Sequence, residues 1–251
     1  MKQIGVPMKT SPTEALGGVF LISQENVSLM DFFGDTSAVK MFLHEYKQQH
    51  LLNGLKGDRT IFLSGRSGNG KTMMAKIIAH ELKLRLMTVN YQKFESENLE
   101  NIVSFIAENR EVYLFKWIDL FIQVPSNHNK ILNFLDRLDS LEHRSIVIFC
   151  PSSVVTKLYP VDKSDIPTDI SIHLDHPQRK DITGIMQMYL SFADTSMVDW
   201  EKIQDLIDVP KFCRYFSFKG IKSICRSLYK RSILYKEKIT TELIILALET
   251  I

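Results

Sequence analysis

Gly65-Arg66-Ser67-Gly68-Asn69-Gly70-Lys71-Thr72 satisfies the pattern G-x-x-x-x-G-K-[ST] in full. The apolar run Thr60-Ile61-Phe62-Leu63-Ser64 leads into it as a strand, and Met73 to Leu82 leads out with the periodicity of an amphipathic helix. Strand, glycine-rich loop and helix in that order make a phosphate cradle: the glycines let the backbone wrap a polyphosphate with its N–H groups aimed inward. Lys71 is placed to reach the β- and γ-phosphates, the Thr72 hydroxyl to ligate Mg²⁺, and the helix N-terminus adds positive potential. The whole loop, Gly65, Arg66, Ser67, Gly68, Asn69, Gly70, Lys71 and Thr72, is therefore the expected nucleotide-binding segment.

Composition sets the frame for that loop. A chain of 251 residues with 45% hydrophobic content can bury a large core without staples. A net charge of +2, with acids and bases interspersed, gives no chain-wide electrostatic case for nucleic acid or an anionic membrane. Cys150, Cys213 and Cys225 are far apart and lack flanking histidines at ligand spacing, which indicates buried thiols in a reducing compartment. The seven histidines form no metal-spaced cluster. No apolar run reaches the length of a membrane span, and Met1 to Pro7 lacks a secretory apolar stretch, so an intracellular, cytoplasmic protein is expected.

Along the chain, residues 1–26 are broken by Pro7, Pro12, Gly17 and Gly18 and read as a loose arm with one short strand at Val19 to Ile22. A helix is predicted over Asp35 to Leu52. After the phosphate loop come a strand at Leu84 to Val89, a helix at Leu99 to Glu108 and a strand at Val112 to Phe115. A helix at Asn129 to Leu141 and strands at Ser145 to Cys150 and Ile170 to Leu174 follow. Alternating strands and helices imply an α/β fold, a P-loop parallel sheet flanked by helices, with phosphates bound at the carboxyl edge of the central strands. From about Pro177 helical periodicity takes over, giving a small C-terminal all-helical unit. The expected domains are an N-terminal arm at 1–26, a nucleotide-binding domain at 27–188 and a helical lid at 189–251.

A P-loop α/β domain followed by a helical lid resembles the AAA+ superfamily, and several stretches resemble its AAA branch. Val27 to Asp35 is similar to the family's opening segment, whose glycine lies beside the adenine; the resemblance makes Gly34 that residue. Ile146 to Ser153 is similar to the strand that ends in a polar γ-phosphate sensor, with Ser152 at the sensor position. His173 to Lys180 resembles the entry to the lid, and Tyr215 to Cys225 the start of its third helix. Lys219 or Lys222 would then reach the nucleotide from the lid, and the basic stretch Lys219 to Lys238 otherwise reads as a solvated helix face.

Hydrolysis needs a second Mg²⁺ ligand and a base at the end of the third strand, which the family supplies as adjacent Asp and Glu. Here the resemblance aligns Lys116 and Trp117 with the two acids, followed by Ile118 and Asp119. An ammonium repels a dication, and an indole accepts no proton. A frame shifted along the chain makes Asp119 the metal ligand and a weak catalytic candidate, but Leu120 follows and the base is missing in either frame. The unshifted frame is preferred because the shifted one places Lys116 within a buried strand. The family's trans-acting arginine positions fall on Pro167 and Ile170, and its pore-loop stretch is shortened to Tyr91 to Asn98, where Tyr91 and Phe94 read better as buried aromatics than as a grip on polypeptide.

The resulting expectation is a nucleotide-binding AAA-type module with weak or absent ATP hydrolysis, a pseudo-ATPase acting as a structural or regulatory subunit of a homo- or hetero-oligomer of AAA-type chains. Two alternatives stand beside it. One is an active ATPase remodelling protein or nucleic acid, with Asp119 on the metal and a base from Asp136, Asp139 or a partner. The other is a DNA ATPase similar to clamp loaders or replication initiators, although the charge pattern does not indicate nucleic acid.

Overall fold

The structure is a computed structural model describing residues 13–23, 27–51, 59–140, 145–152, 165–209 and 216–249. Its strands are β1 (Thr13–Ala15), β2 (Phe20–Ser23), β3 (Thr60–Gly65), β4 (Leu86–Val89), β5 (Val112–Lys116), β6 (Ile146–Cys150) and β7 (Ile170–Leu174). Helices α1 (Ser37–Leu51), α2 (Lys71–Glu81), α3 (Tyr91–Ser96), α4 (Leu99–Glu108), α5 (Ile118–Phe121) and α6 (Pro125–Asp139) accompany the sheet. Helices α7 (Arg179–Tyr189), α8 (Trp200–Asp208), α9 (Phe218–Tyr235) and α10 (Thr241–Glu249) form the C-terminal unit.

The sheet runs β1-β2-β4-β5-β6-β3-β7; the five strands from β4 to β7 are parallel, and the β1–β2 hairpin extends the β4 edge antiparallel. Both faces are covered, which explains why β5 and β6 read as unbroken apolar runs. Alternation then assigns each side chain to a face. Ile61, Leu63, Val112, Leu114, Ile146, Ile148 and Cys150 join α1 and α2 in one core, while Phe62, Tyr113, Phe115, Val147 and Phe149 join α4 and α6 in the other. Phe115 anchors the second core through ring contacts with Phe94, Phe134 and Phe149 at 5.3, 5.5 and 5.0 Å.

Three features depart from the expectations. The segment read as a loose arm contributes two strands, and within it Phe20 is fully buried, stacked on Phe105 and edge-on to Tyr113; residues 1–12 and 24–26 lie outside the described set. Helix α6 starts at Pro125, ahead of Asn129, because proline is tolerated where the first N–H has no intrahelical acceptor. Packing changes at α7, since Ile182, Ile185 and Met186 belong to the core shared with α8, α9 and α10. The helical unit therefore begins near residue 179 and not at 189. Tyr91 to Ser96, aligned with a pore loop, forms α3, in which Phe94 is buried and Tyr91 stacks on Phe121 at 4.4 Å.

The strand carrying the phosphate loop is fastened to its outer neighbour by Asp169. One carboxylate oxygen accepts the backbone N–H groups of Arg59 and Thr60 and the Thr60 hydroxyl, each at 2.8 Å. Asp169→Ala is expected to lower unfolding free energy by about 1–2 kcal/mol in urea titrations, toward the low end for charged hydrogen bonds because the aspartate is exposed; an unchanged midpoint would show that the fastening is idle.

Candidate functional site: a lysine-lined phosphate cleft

The loop between β3 and α2 has the backbone that its glycines permit. Gly65 has φ +133°, and a Cβ there would stand 2.4 Å from the Leu174 carbonyl oxygen on β7. Gly68 has φ +85°, and a Cβ there would meet Ser217 Oγ at 2.8 Å and Lys219 Cβ at 2.9 Å, so the lid rests directly on the loop. Asn69 is buried and donates its side-chain amide to the Leu174 carbonyl at 2.9 Å, a tether for the loop. Lys71 opens α2 and donates to the carbonyls of Gly65 and Arg66 at 2.6 and 3.1 Å, which holds its ammonium over the loop. Burial holds Lys71 below the usual lysine range, with Cys150 and Asp119 acting in the opposite direction.

Opposite the loop stand the ends of β5 and β6. Lys116 pairs in register with Cys150, and parity along β5 (Val112, Leu114, Lys116) turns it to the α2 face, toward Lys71. Burial pushes the Cys150 thiol up to about 12, while the ammonium groups of Lys71 and Lys116 pull the other way. Trp117 follows in the left-handed region, φ +56°, with 59% of its surface exposed, and the Lys116 ammonium sits 5.8 Å from its ring. Such a backbone costs a non-glycine residue roughly 1–2 kcal/mol. It aims the indole into the cleft while the chain turns down into α5.

One turn on, Asp119 is completely buried. Its two oxygens accept from Ser152, one from the backbone N–H at 2.6 Å and one from the hydroxyl at 2.7 Å. Buried carboxylates require such partners, because an unpaired one is costly to desolvate. The consequence reaches Ser152: its single O–H is spent on Asp119, leaving its oxygen able only to accept.

The lid supplies the remaining wall. Lys219 N–H donates to the Gly68 carbonyl at 3.3 Å, and the Phe218 ring lies 5.2 Å from Phe32. Phe32 in turn abuts Gly70, where a Cβ would stand 2.8 Å from the ring, and Phe33 packs against Gly184 of α7. The resulting cleft, ≈ 380 Å³, is lined by Ser67, Gly68, Gly70, Lys71, Thr72 and Met73 from the loop, Lys116, Trp117, Cys150, Pro151 and Ser152 from the sheet edge, and Tyr189, Phe218, Lys219 and Lys222 from the lid.

Of the residues singled out in the sequence, Ser67, Gly68, Gly70, Lys71, Thr72, Ser152 and Lys219 meet in this cleft. Gly65 and Asn69 shape it from behind, Arg66 is exposed at its margin, and Asp119 lies beneath Ser152. Gly34, with φ +129°, sits beside Phe32 and Phe218 at the rim. Asp136 and Asp139 are exposed on α6 and take no part in the lining. Sequence reasoning set Lys116 and Trp117 at the family's acidic positions but did not anticipate Tyr189 and Phe218 as walls of the cleft. The signal for Lys116 was its even parity with Val112 and Leu114; the lid aromatics carried none.

Residues 61–160 match the sequence profile of the family described as "ATPase family associated with various cellular activities (AAA)". Over that stretch the chain is similar to AAA P-loop modules. Solved structures that share its fold include these two. The FIGL-1 AAA domain superposes with a TM-score of 0.68 at 16% identity, covering 93% of this chain and 86% of that one. A structure described as the basis for katanin self-assembly superposes with a TM-score of 0.69 at 17% identity, covering 97% and 93%. No curated protein matches by sequence. Among the described residues of the AAA module no helix is long and apolar enough to cross a membrane.

The family binds nucleotide, usually with Mg²⁺, and the two parts fit this module unequally. A polyphosphate fits: any Cβ at Gly65, Gly68 or Gly70 would clash with its surroundings, so the cradle is bare backbone, and α2 begins in it. The cation fits poorly. Thr72 is one hydroxyl ligand, but the end of β5 presents Lys116 to the cleft, both Asp119 oxygens are held by Ser152, and no group of three His, Cys, Asp or Glu among the described residues is arranged for a metal. Ser152→Ala is expected to cost about 1–3 kcal/mol in urea unfolding, since it strips a donor from a buried carboxylate; a change within about 0.5 kcal/mol, the usual range for idle positions, would mean that Asp119 does not depend on it.

Proposed function

We propose that this AAA module binds ATP or ADP through Gly65 to Thr72 and hydrolyses it poorly or not at all, serving as a structural or regulatory subunit of an oligomeric AAA assembly. The observation that carries the reading is the chemistry at the end of β5: Lys116 and Trp117 line the cleft opposite the phosphate loop, and Asp119, which follows them, is buried with both oxygens engaged. Phosphoryl transfer to water needs a residue that orients the nucleophile and a cation or arginine that gathers transition-state charge. Lysine, indole and a serine hydroxyl already donated cannot orient a water as a base does. Pro167 and Ile170 occupy the family's arginine positions, and Asp169 between them is spent on β3, so this chain offers a neighbour no finger at those positions. Oligomerisation rests on the likeness to a katanin structure whose description is self-assembly.

Lys71→Ala is expected to abolish ATP binding in isothermal titration, and full affinity in that variant would remove the cradle from the account. Purified chain at saturating ATP and Mg²⁺ is expected to release phosphate at background rate. Robust turnover that disappears in Asp119→Asn would instead establish the active ATPase, with Asp119 freed from Ser152 to hold the metal.

A further inference from the structure

Four lysines, Lys71, Lys116, Lys219 and Lys222, line one cleft that has no aspartate or glutamate among its described lining residues. They come from three separate parts of the fold: the start of α2, the last residue of β5, and the first turns of α9. Each is positioned by its own element and neighbours. Lys71 hangs over its own loop carbonyls, Lys116 follows strand parity, Lys219 is pinned by its backbone N–H on Gly68, and Lys222 lies 5.6 Å from the Tyr189 ring. Like charges gathered in a partly dry cleft repel one another, and an anion entering it relieves that repulsion.

We propose that the cleft takes its nucleotide as the metal-free polyanion, with the Lys116 ammonium occupying the place that Mg²⁺ would and supplying half of its charge. This rests on the nucleotide-binding reading and extends it. A free triphosphate is more negative than its magnesium complex by the two charges of the cation, and a wall of ammonium groups favours the more negative form. Mg²⁺ in solution therefore competes with the protein for the phosphates and does not assist binding. Lysine also donates three hydrogens without fixed geometry, whereas Mg²⁺ requires an octahedron of oxygens that this wall does not provide. The site becomes a store for ATP withdrawn from the form that enzymes cut, which suits a subunit whose nucleotide is structural.

The test is isothermal titration of ATP into the full chain in excess EDTA and again in millimolar Mg²⁺, paired with the same titrations of Lys116→Asp. Wild type is expected to bind in EDTA as tightly as with Mg²⁺ or more so, and Lys116→Asp to bind only with Mg²⁺. A loss of wild-type affinity beyond about threefold on adding EDTA, where about 1.4 kcal/mol is a factor of ten, overturns the proposal while leaving nucleotide binding intact. Absence of binding in both buffers overturns the nucleotide-binding reading itself. Should Lys116→Asp fail to fold, Lys116→Gln serves instead: weaker binding in EDTA supports the proposal, unchanged affinity refutes it. Pyrophosphate added in EDTA is expected to raise the melting temperature of wild type, and a flat melting curve counts against the proposal.

Discussion

A carboxylate that is wholly out of water must be paired, and Asp119 is paired with Ser152. That requirement organises the far wall of the site. By holding the Ser152 N–H and hydroxyl, Asp119 ties the end of β6 to the first turn after β5. The chain must then leave β5 abruptly, which it does through Trp117 in a left-handed backbone. With α5 anchored in this way, strand parity sends Lys116 to the loop side of the sheet and leaves the indole at the mouth of the cleft. Truncating either partner would leave the other desolvated and unpaired, a loss on the order of 1–3 kcal/mol or more, so the pair is a stable fixture and a poor candidate for a mobile ligand.

The near wall is built by contacts between two cores. Phe32 packs with α1 and α2, its neighbour Phe33 packs with the lid helices, and Phe218 touches Phe32 across the divide. With Lys219 hydrogen-bonded to Gly68, the lid is seated on the phosphate loop by both apolar and backbone contacts. The lysines of α9 are thereby delivered to the cleft by packing, not by attraction to one another. Function follows from a grip with lysines on three elements and no aspartate or glutamate among the described residues that line it.

Much of this was legible in advance because it is local. The phosphate loop is a contiguous pattern with required flanks, and the parallel strands announce themselves as apolar runs because both faces are buried. Half of the β1–β2 hairpin was legible, since Val19 to Ile22 reads as a short strand; the three-residue β1 has no measurable periodicity, and it exists because β2, paired on the edge of β4, offers hydrogen-bond partners. The Asp119–Ser152 pair joins residues 33 apart in sequence, so its chemistry could be seen only once β5 and β6 lay side by side. Lys116 was visible as a misfit at an acidic position, but its positive role needed the register with Cys150 and the lid lysines opposite. The lid boundary slipped because α7 continues directly from the strand-rich half, and only its packing partners show to which core it belongs.

Retention without cleavage is what separates this account from an ordinary ATPase, and the fate of bound nucleotide tests it most directly. ATP labelled on the γ-phosphate should be bound to the purified chain with Mg²⁺ present, held through a long incubation, then released by denaturation and separated. The account predicts recovery of the label as intact ATP, matching a protein-free control. Recovery as ADP and free phosphate, abolished in Asp119→Asn, would contradict it.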